Sequence, residues 1–329
     1  MKIGLVGCGY WGKNIARNLH QMGLLGAVCD PSPKILESVP KLYPGALPTK
    51  SLADVLKSKD IDAVAIASPA AQHAAIAKAA LLAGKDVFVE KPLALDVKEA
   101  KALLVLAKKK KRILMVGHIL QYHPAIRKLK QILDDGELGD IQYVYSNRLN
   151  LGKIRHEENI LWSFAPHDIS VILLLLGRLP KTVTTAGESW LRKGVADVTM
   201  TTLEFTEGAR AHIFVSWLHP FKEQKLVVVG SKRMAVFDDV IKEGKLKIFD
   251  KGVDWMDGQP VIRQTSESTL FFPEQEPLRE ELLHFADCVR TRKTPHTDGR
   301  NGLDVLRVLD AGQRSLDTGG RPVAIKKTL

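Results

Sequence analysis

Near its start the sequence reads Lys2-Ile3-Gly4-Leu5-Val6-Gly7-Cys8-Gly9-Tyr10-Trp11-Gly12. The apolar run Ile3–Val6 predicts a buried strand, and the glycines after it form a GxGxxG turn that leads into a helical pattern. In that context the first glycine permits a tight turn, the second lets the backbone approach a pyrophosphate, and the third allows close contact between helix and strand. We therefore expect this turn to bind a dinucleotide. The candidate contacts are Gly7, Gly9, Tyr10, Trp11 and Gly12.

Asp30 ends the next apolar run, Gly26–Cys29, at the distance at which such folds place an acidic residue. A carboxylate there accepts hydrogen bonds from the adenosine ribose hydroxyls and repels a 2′-phosphate. NAD is therefore the expected cofactor, although Lys34 just downstream leaves NADP open. The alternative is that Asp30 only begins the turn at Pro31.

Further apolar runs alternate with helical patterns up to about Gly117. Runs that are apolar at consecutive positions and separated by amphipathic helices indicate parallel strands buried on both faces. The first part is thus predicted to be an α/β domain, a doubly wound Rossmann sheet over residues 1–118 that binds NAD. The runs concerned are Ala63–Ala67, Val87–Val89 and Ile113–Val116.

Several polar residues follow these strands, where an open parallel sheet binds its ligands. Lys91 is the most informative, because its amine can fix the cofactor and lower the pKa of a reacting hydroxyl. A bare lysine is also common on a solvated surface, and His73 is equally compatible with a partly exposed or capping position. The candidate cofactor contacts at these strand ends are Ser68, Pro69, His73, Glu90, Lys91 and His118.

The pattern changes after a helical segment, Pro124–Asp134, to longer and partly alternating strands with short turns. An apolar helix, Leu161–Leu176, interrupts them, and a helical pair, Pro277–Arg292 and Gly302–Leu316, follows. Residues 119–329 are therefore predicted to be an α+β domain with a mostly antiparallel open sheet. The strands are Ile141–Leu149, Val198–Phe205, Ala211–Trp217, Lys225–Val229 and Met234–Phe237.

His167 and Asp168 form a polar pair directly before an all-apolar helical run. A buried polar pair is costly unless it is hydrogen-bonded, so this pair requires a reason. The sequence alone allows catalysis by His167 or a hydrogen-bonded structural cluster with Asp168 near the helix start.

The amino-acid composition limits the kinds of partner that the protein is expected to bind. A net charge of +11 attracts phosphates, but the densest basic run, 108–112, ends a predicted helix and contains no aromatic residue, so nucleic-acid binding is not expected. The three cysteines lack metal-ligand spacing, so neither a metal site nor disulfides are indicated. No apolar run is long enough to span a membrane, and no secretory signal is recognised, so a cytoplasmic location is expected.

The glycine turn, Ser68-Pro69, Glu90-Lys91-Pro92, Gly117-His118 and the C-terminal sheet together resemble the Gfo/Idh/MocA oxidoreductases over essentially the whole chain. The resemblance implies hydride transfer between nicotinamide C4 and a sugar or inositol carbon. It also implies catalytic roles for Lys91 and His167. Many relatives carry an aspartate four residues before this histidine, whereas the sequence here has Ser163.

The run 163–170 and the segment before it are specifically similar to the UDP-N-acetylglucosamine-type 3-dehydrogenases. This similarity implies oxidation of the C3 hydroxyl of UDP-N-acetylglucosamine or its uronic acid. His167 has the pKa suited to proton transfer, whereas Lys91 needs a depressed one, and the sequence does not assign the base. The candidate substrate contacts are Lys91, Tyr122, Arg148, Lys153, Arg155, Ser163, His167 and Asp168, of which Arg148, Lys153 and Arg155 are expected at the diphosphate.

Two other functions remain compatible with the sequence. A dehydrogenase of a free sugar or inositol needs no diphosphate site, and a non-catalytic redox sensor only binds the dinucleotide. The open sheet and the family resemblance imply a homodimer or homotetramer.

Overall fold

The computed structural model describes residues 1–152, 154–155 and 158–325. The first 117 residues alternate strands with helices. The strands are β1 (Ile3–Val6), β2 (Leu25–Cys29), β3 (Leu47–Thr49), β4 (Ala63–Ile66), β5 (Asp86–Glu90) and β6 (Leu114–Gly117). The helices between them are α1 (Gly12–Gln21), α2 (Pro33–Leu42), α3 (Leu52–Lys57), α4 (Ala70–Leu82) and α5 (Val97–Lys110).

Longer strands dominate the next part of the chain, which begins with a short 3₁₀ helix at Ile119–Tyr122. The helices that follow are α6 (Pro124–Asp134), α7 (Ile160–Leu176), α8 (Pro277–Thr291) and α9 (Gly299–Asp317). The strands are β7 (Ile141–Leu149), β8 (Thr182–Glu188), β9 (Val198–Glu204), β10 (Arg210–Ser216), β11 (Glu223–Gly230), β12 (Met234–Asp238), β13 (Leu246–Met256), β14 (Gln259–Leu270) and β15 (Val323–Ala324).

The first sheet is parallel with the strand order β3-β2-β1-β4-β5-β6. All residues of β1, β4 and β6 are buried, as expected for parallel strands covered by helices on both faces. The order reverses between β1 and β4, so the carboxyl ends of these two strands flank the switch point where such folds bind ligands. The predicted Rossmann architecture is confirmed.

The basic run 108–112 lies where the sequence placed it, at the end of a helix. Asp96 caps the start of α5 by accepting from the backbone N–H groups of Lys98 and Glu99. The helix ends at Lys110, its C-cap residue Lys111 is left-handed at φ 52°, and the lysines of its last turn are exposed. Solvated cations near a helix C-terminus are favoured by the dipole.

The second sheet has the order β14-β13-β12-β11-β7-β10-β9-β8-β15. Its pairs are antiparallel except that β10 runs parallel to β7, which confirms a mostly antiparallel sheet. Helix α7 packs against β7, β9 and β10 on one face of the sheet. Asn159 caps the start of α7 through the N–H of Trp162, and Gly177 ends it at φ 65°.

The chain forms two compact units, residues 1–122 with 276–306 and residues 123–275 with 307–329. The expected division into 1–118 and 119–329 differs from this, because residues 276–306 belong to the first unit. Helix α8 explains the difference: Leu278, Leu282, Phe285 and Val289 pack into the same apolar core as β1 and α1. No helix in the described ranges is long and apolar enough to cross a membrane.

Candidate active site

The glycine turn lies at the carboxyl end of β1, and its shape requires glycine. At Gly7 (φ +87°) a Cβ atom would lie 2.7 Å from the Ser68 nitrogen, and at Gly12 it would lie 2.0 Å from the Gly7 oxygen. A Cβ at Gly9 would meet no atom within 4 Å, so the space beside this residue is open. The first and third glycines therefore serve close packing, and the second leaves room for a ligand to approach the backbone.

Asp30 is buried at the end of β2, and both of its carboxylate oxygens are oriented by backbone. The N–H of Cys8 donates to Oδ2 at 2.8 Å, and the N–H of Ser32 donates to Oδ1 at 2.9 Å. The carboxylate is thereby joined to the glycine turn. Each carboxylate oxygen can accept more than one hydrogen bond, so Asp30 keeps capacity for ribose hydroxyls.

His73 connects two turns of this edge. Its Nδ1 lies 2.8 Å from the Pro92 carbonyl oxygen and its Nε2 lies 2.8 Å from the Ser68 carbonyl oxygen. Burial lowers the pKa of His73 below its ordinary value, which the two carbonyl contacts oppose. The ring is fully engaged within the unit, and this geometry assigns His73 to holding the turns after β4 and β5 together. The sequence had suggested contact with the cofactor instead.

Lys91 directly follows β5 and is joined to Pro92 by a cis peptide bond. Its charge acts on His73, Glu90 and His118. His118, at the end of β6, is 1% exposed, and neither of its ring nitrogens has a hydrogen-bond partner among the described residues. Burial, and then the charge of Lys91, lowers the pKa of His118 to about 3. His118 is therefore neutral at physiological pH.

Glu90 contacts the glycine turn through Trp11, whose indole Nε1 donates to its Oε1 at 2.6 Å. Burial raises the pKa of Glu90 to about 7, although the Trp11 hydrogen bond and the Lys91 charge lower it. Tyr10, next to Trp11, is largely exposed, with the Lys13 amine 5.4 Å from its ring centroid.

These residues fit an NAD molecule at the edge of the first sheet. The open space at Gly9 suits the pyrophosphate, and Asp30 suits the adenosine ribose. The Ser68 hydroxyl and the His118 ring are buried polar groups without a hydrogen-bond partner among the described residues, so both can take a polar ligand. When bound, NAD supplies the acceptor for a hydride.

Tyr122 does not line an open site. It is 1% exposed, its hydroxyl lies 3.2 Å from the Thr297 hydroxyl, and its ring packs against His284 and His296. The sequence suggested a substrate contact because Tyr122 follows β6 closely. The structure places it in the core of the first unit.

In the second unit, Asp168 is 3% exposed and is the centre of a hydrogen-bonded cluster. Arg148 donates to it from Nε at 2.9 Å and from Nη2 at 3.0 Å, and the Ser146 hydroxyl donates at 2.7 Å. Ser146 and Arg148 lie two residues apart on β7, whereas Asp168 lies on α7. This bidentate pair joins the strand to the helix and engages two of the three guanidinium nitrogens of Arg148, which the sequence assigned to the diphosphate.

His167 and Ser163 are four residues apart on α7, and therefore lie on the same helix face. Both residues belong to the helical segment. The main-chain carbonyl of His167 accepts a hydrogen bond from the Ser170 hydroxyl at 2.8 Å. The start of α7 is held by Gln313, whose Oε1 accepts from Asn159 at 2.8 Å and from Trp162 at 3.0 Å. The helix that carries His167 is thus fixed at its first turn and at Asp168.

The segment before α7 carries the remaining basic candidates. Arg155 is half exposed and pairs with Glu158 at 3.3 Å. Lys153 lies outside the described residues.

Sequence reasoning missed Glu281, Ser146 and Gln313. A signal for Glu281 exists, because it shares the helical spacing of Leu278, Leu282 and Phe285 on the buried face of α8. Ser146 and Gln313 carry no local signal, since their partners are distant in the sequence.

Family comparisons agree with this architecture. Residues 1–118 match the family described as "Oxidoreductase family, NAD-binding Rossmann fold", and residues 126–236 match "GFO/IDH/MocA C-terminal domain". A putative oxidoreductase of known structure from Magnetospirillum magnetotacticum is 31% identical, covers 94% of this chain and 99% of its own, and has a TM-score of 0.82.

Several relatives carry named activities, and two of them differ in substrate class. UDP-N-acetylglucosamine 3-dehydrogenase from Acidithiobacillus ferrooxidans is 27% identical over 93% of this chain and 94% of its own. Its solved structure gives a TM-score of 0.85 at 25% identity, over 97% of this chain and 98% of that one. The scyllo-inositol 2-dehydrogenase (NAD(+)) from Bacillus subtilis is 29% identical over 74% of this chain and 71% of its own. The chain belongs to the Gfo/Idh/MocA oxidoreductase family and is an NAD-dependent dehydrogenase that acts on CH–OH groups.

Proposed function

We propose that this enzyme oxidises the C3 hydroxyl of a UDP-N-acetylamino sugar, UDP-N-acetylglucosamine or its uronic acid, to the 3-keto sugar. The observation that carries this proposal is the similarity to the A. ferrooxidans 3-dehydrogenase over nearly the full length of both chains. The NAD-binding edge of the first unit supplies the cofactor site that such an oxidation requires.

Lys91 and His167 are the residues that we propose to act on the sugar hydroxyl. Both an amine and an imidazole can take the hydroxyl proton or hydrogen-bond the oxygen while the hydride leaves carbon. The buried Asp168, fixed by Arg148, supports the helical turn that carries His167. Ser163, one turn earlier on the same face, is proposed to contact the sugar.

The diphosphate is proposed to contact the basic segment before α7. Arg155 is half exposed and is the better-placed cation, because the ion pair described for it joins it only to Glu158, three residues along the chain. Lys153, which lies outside the described residues, is proposed as a diphosphate contact from the sequence alone. Arg148 is the less available cation for this role, because its Nε and Nη2 already donate to Asp168.

The test is turnover followed by mass spectrometry, with UDP-N-acetylglucosamine and its uronate as substrates and NAD as oxidant. The wild-type enzyme is expected to convert at least one of them to a product lighter by two hydrogens. Lys91→Ala and His167→Asn are each expected to lower kcat by about 10²-fold or more, since each removes a group that acts on the transferred proton. Lys98→Ala and His219→Asn serve as matched controls and are expected to retain wild-type turnover.

A second candidate is oxidation of a free inositol or sugar, which the similarity to the B. subtilis scyllo-inositol dehydrogenase favours. Competition by UDP separates the two candidates. We expect UDP to inhibit turnover and to bind in a calorimetric titration. If UDP neither binds nor inhibits, and scyllo-inositol or glucose reduces NAD, the nucleotide-sugar proposal is wrong.

We also propose that the enzyme is a homodimer or homotetramer that associates through the second sheet. Away from α7, this sheet presents residues that alternate with the buried ones and are only partly covered. The imidazole of His212 stacks on Tyr145 there, and Phe214 pairs across strands with Met200, which is 60% exposed. Partly covered aromatic and apolar side chains on an open sheet face are typical of subunit contacts.

A further inference from the structure

Trp11 links the glycine turn to a strand that is not a neighbour of β1. It is the N-cap residue of α1, directly before Gly12, and it is 36% exposed. Its indole Nε1 donates to Oε1 of Glu90, the last residue of β5, at 2.6 Å. A short hydrogen bond to a carboxyl oxygen holds a side chain in one orientation. The indole is therefore fixed at one edge and keeps part of its surface open.

The Trp11 side chain reaches past the carboxyl end of the strand that lies between β1 and β5. That strand is β4, and because neighbouring strands are about 4.8 Å apart, β1 and β5 are separated by roughly 10 Å. The glycine turn lies close against the end of β4, since a Cβ atom at Gly7 would come within 2.7 Å of the Ser68 nitrogen. The link from Trp11 to Glu90 thus spans the end of β4.

Glu90 is itself held close to the backbone of β6. It is the partner of Gly117 in the ladder between β5 and β6, and a Cβ atom at Gly117 would come within 3.1 Å of its Cδ and of both oxygens. Glycine at this position leaves room for the carboxyl beside the main chain. A larger residue would displace the carboxyl, and with it the acceptor of the Trp11 hydrogen bond.

A second carboxyl holds the other side of the same turn. Asp30, after β2, accepts a hydrogen bond from the Cys8 N–H at 2.8 Å. The turn is therefore attached to the sheet on both sides, at the adenosine end by Asp30 and towards β5 by Glu90. Between them lies the open space beside Gly9. A dinucleotide that extends from Asp30 across this space next meets the ends of β4 and β5, where the indole lies.

We propose that the Trp11 indole forms a wall of the nicotinamide half of the NAD site, and that Glu90 is the positioning residue that holds this indole in place. The sequence suggested that Trp11 and Glu90 each contact the cofactor, whereas here they act as one unit in which Glu90 acts through Trp11. An aromatic side chain that is fixed before the ligand binds loses less conformational freedom on binding. The inference depends on NAD binding and not on the identity of the sugar.

Calorimetric titration of the full-length enzyme with two nucleotides tests the place of the wall. NAD contains the nicotinamide half, whereas ADP carries only the adenosine and the diphosphate. Trp11→Ala is expected to raise the Kd for NAD about 5-fold or more and to change the Kd for ADP less than about twofold, because only NAD loses the contact with the indole. If the substitution weakens both nucleotides equally, the indole only shapes the glycine turn and the inference is wrong.

Trp190→Ala is the matched control for this titration. Trp190 is 65% exposed and belongs to the second unit. Both Kd values are expected to stay at the wild-type level in this variant.

The positioning role of Glu90 is tested by two substitutions of similar size. Glu90→Met removes the acceptor oxygen, so the Kd for NAD is expected to rise about 5-fold, whereas the Kd for ADP is retained. Glu90→Gln keeps a carbonyl oxygen that can accept from the indole, and its Kd for NAD is expected to stay near the wild-type value. Glu99→Met, at an exposed glutamate of α5, is the matched control. A Kd for NAD as high in Glu90→Gln as in Glu90→Met would contradict the inference.

The double variant Trp11→Phe/Glu90→Met decides whether the two residues act as one unit. Each single substitution removes the same hydrogen bond, so the double variant is expected to raise the Kd for NAD no more than the larger of the two single effects. ADP binding shows in each case that the first unit is folded. Fully additive effects on the Kd for NAD would mean that Trp11 and Glu90 act independently, which overturns the positioning role.

Discussion

Arg148 and Asp168 form a charged pair whose members are both largely buried. Each charge depends on the other, because neither has enough water around it to be stable alone. The Ser146 hydroxyl completes the hydrogen bonding of the carboxylate. The residue after the proposed catalytic histidine is therefore held by the sheet, which restrains the helical turn on which that histidine lies.

Asp168→Asn is expected to destabilise the second unit strongly, because it leaves the buried Arg148 guanidinium without the carboxylate to which it is hydrogen-bonded. Breaking a buried pair from one side costs about 3 to 5 kcal/mol. Urea unfolding measures the loss. Arg210→Ala is the matched control, since its pair with Glu204 is exposed and such pairs contribute about 0 to 1 kcal/mol. An equal loss in the free energy of unfolding for the two variants would show that the buried pair stabilises the protein no more than an exposed one.

The sequence predicted the cofactor residues better than the substrate residues, for a physical reason. Gly7, Gly12 and Asp30 act within one strand-turn-helix unit, so their spacing alone reveals their task. Arg148 was expected at the diphosphate because arginine commonly binds phosphate. Its actual partner is twenty residues away on another element, and no local pattern reveals such a contact.

At the scale of elements, α8 combines apolar packing with a buried carboxyl group. Leu278, Leu282, Phe285 and Val289 bury its inner face, and Glu281 lies among them. Because its pKa is raised in the folded state, Glu281 binds its proton more tightly in the folded than in the unfolded chain. The folded state therefore loses stability as the pH rises above the unfolded pKa of about 4.3.

Glu281→Gln removes this dependence. The free energy of unfolding of the variant minus that of wild type is expected to increase with pH from about 4.3 upward, by at most about 1.4 kcal/mol per pH unit. Urea unfolding at a series of pH values gives the slope of this difference against pH. A change in stability that the glutamine amide causes equally at every pH does not alter that slope. Glu280→Gln should show no such slope. A flat difference for Glu281→Gln would mean that the carboxyl has an ordinary pKa.

Elements with a continuous apolar run or a regular apolar spacing were predictable from the sequence. Strands β1 and β4 are continuous apolar runs, and α6 begins and ends where its apolar spacing predicts. The hairpin β13–β14 was missed because most of its residues beyond Phe249 are exposed on both faces. Without alternation between apolar and polar positions, a strand has no signature in the sequence.

At the scale of the whole molecule, residues 276–306 belong to the first unit although they follow the second sheet in the sequence. The sequence pattern did not predict this assignment. The N-terminal unit is a Rossmann sheet by its own pattern, yet its core is completed by a helix more than 150 residues later along the chain. The pattern of α8 predicts an amphipathic helix but not which core it joins. Domain boundaries drawn at Gly117-His118 therefore describe the family motif and omit part of the unit.

Association through the second sheet is the prediction that concerns the whole molecule. We expect wild type to elute as a dimer or tetramer in size-exclusion chromatography with light scattering, and Phe214→Asp to shift it towards monomer. A charge on this face must be desolvated on association, whereas in the monomer it stays in water. Val105→Asp is the matched control, because Val105 is an exposed apolar residue on α5 and belongs to the other unit. NAD binding should persist in both variants, since Phe214 lies in the second unit and Val105 is not one of the cofactor contacts. A wild-type monomer, or a Phe214→Asp variant with the wild-type mass, would show that this face makes no subunit contact.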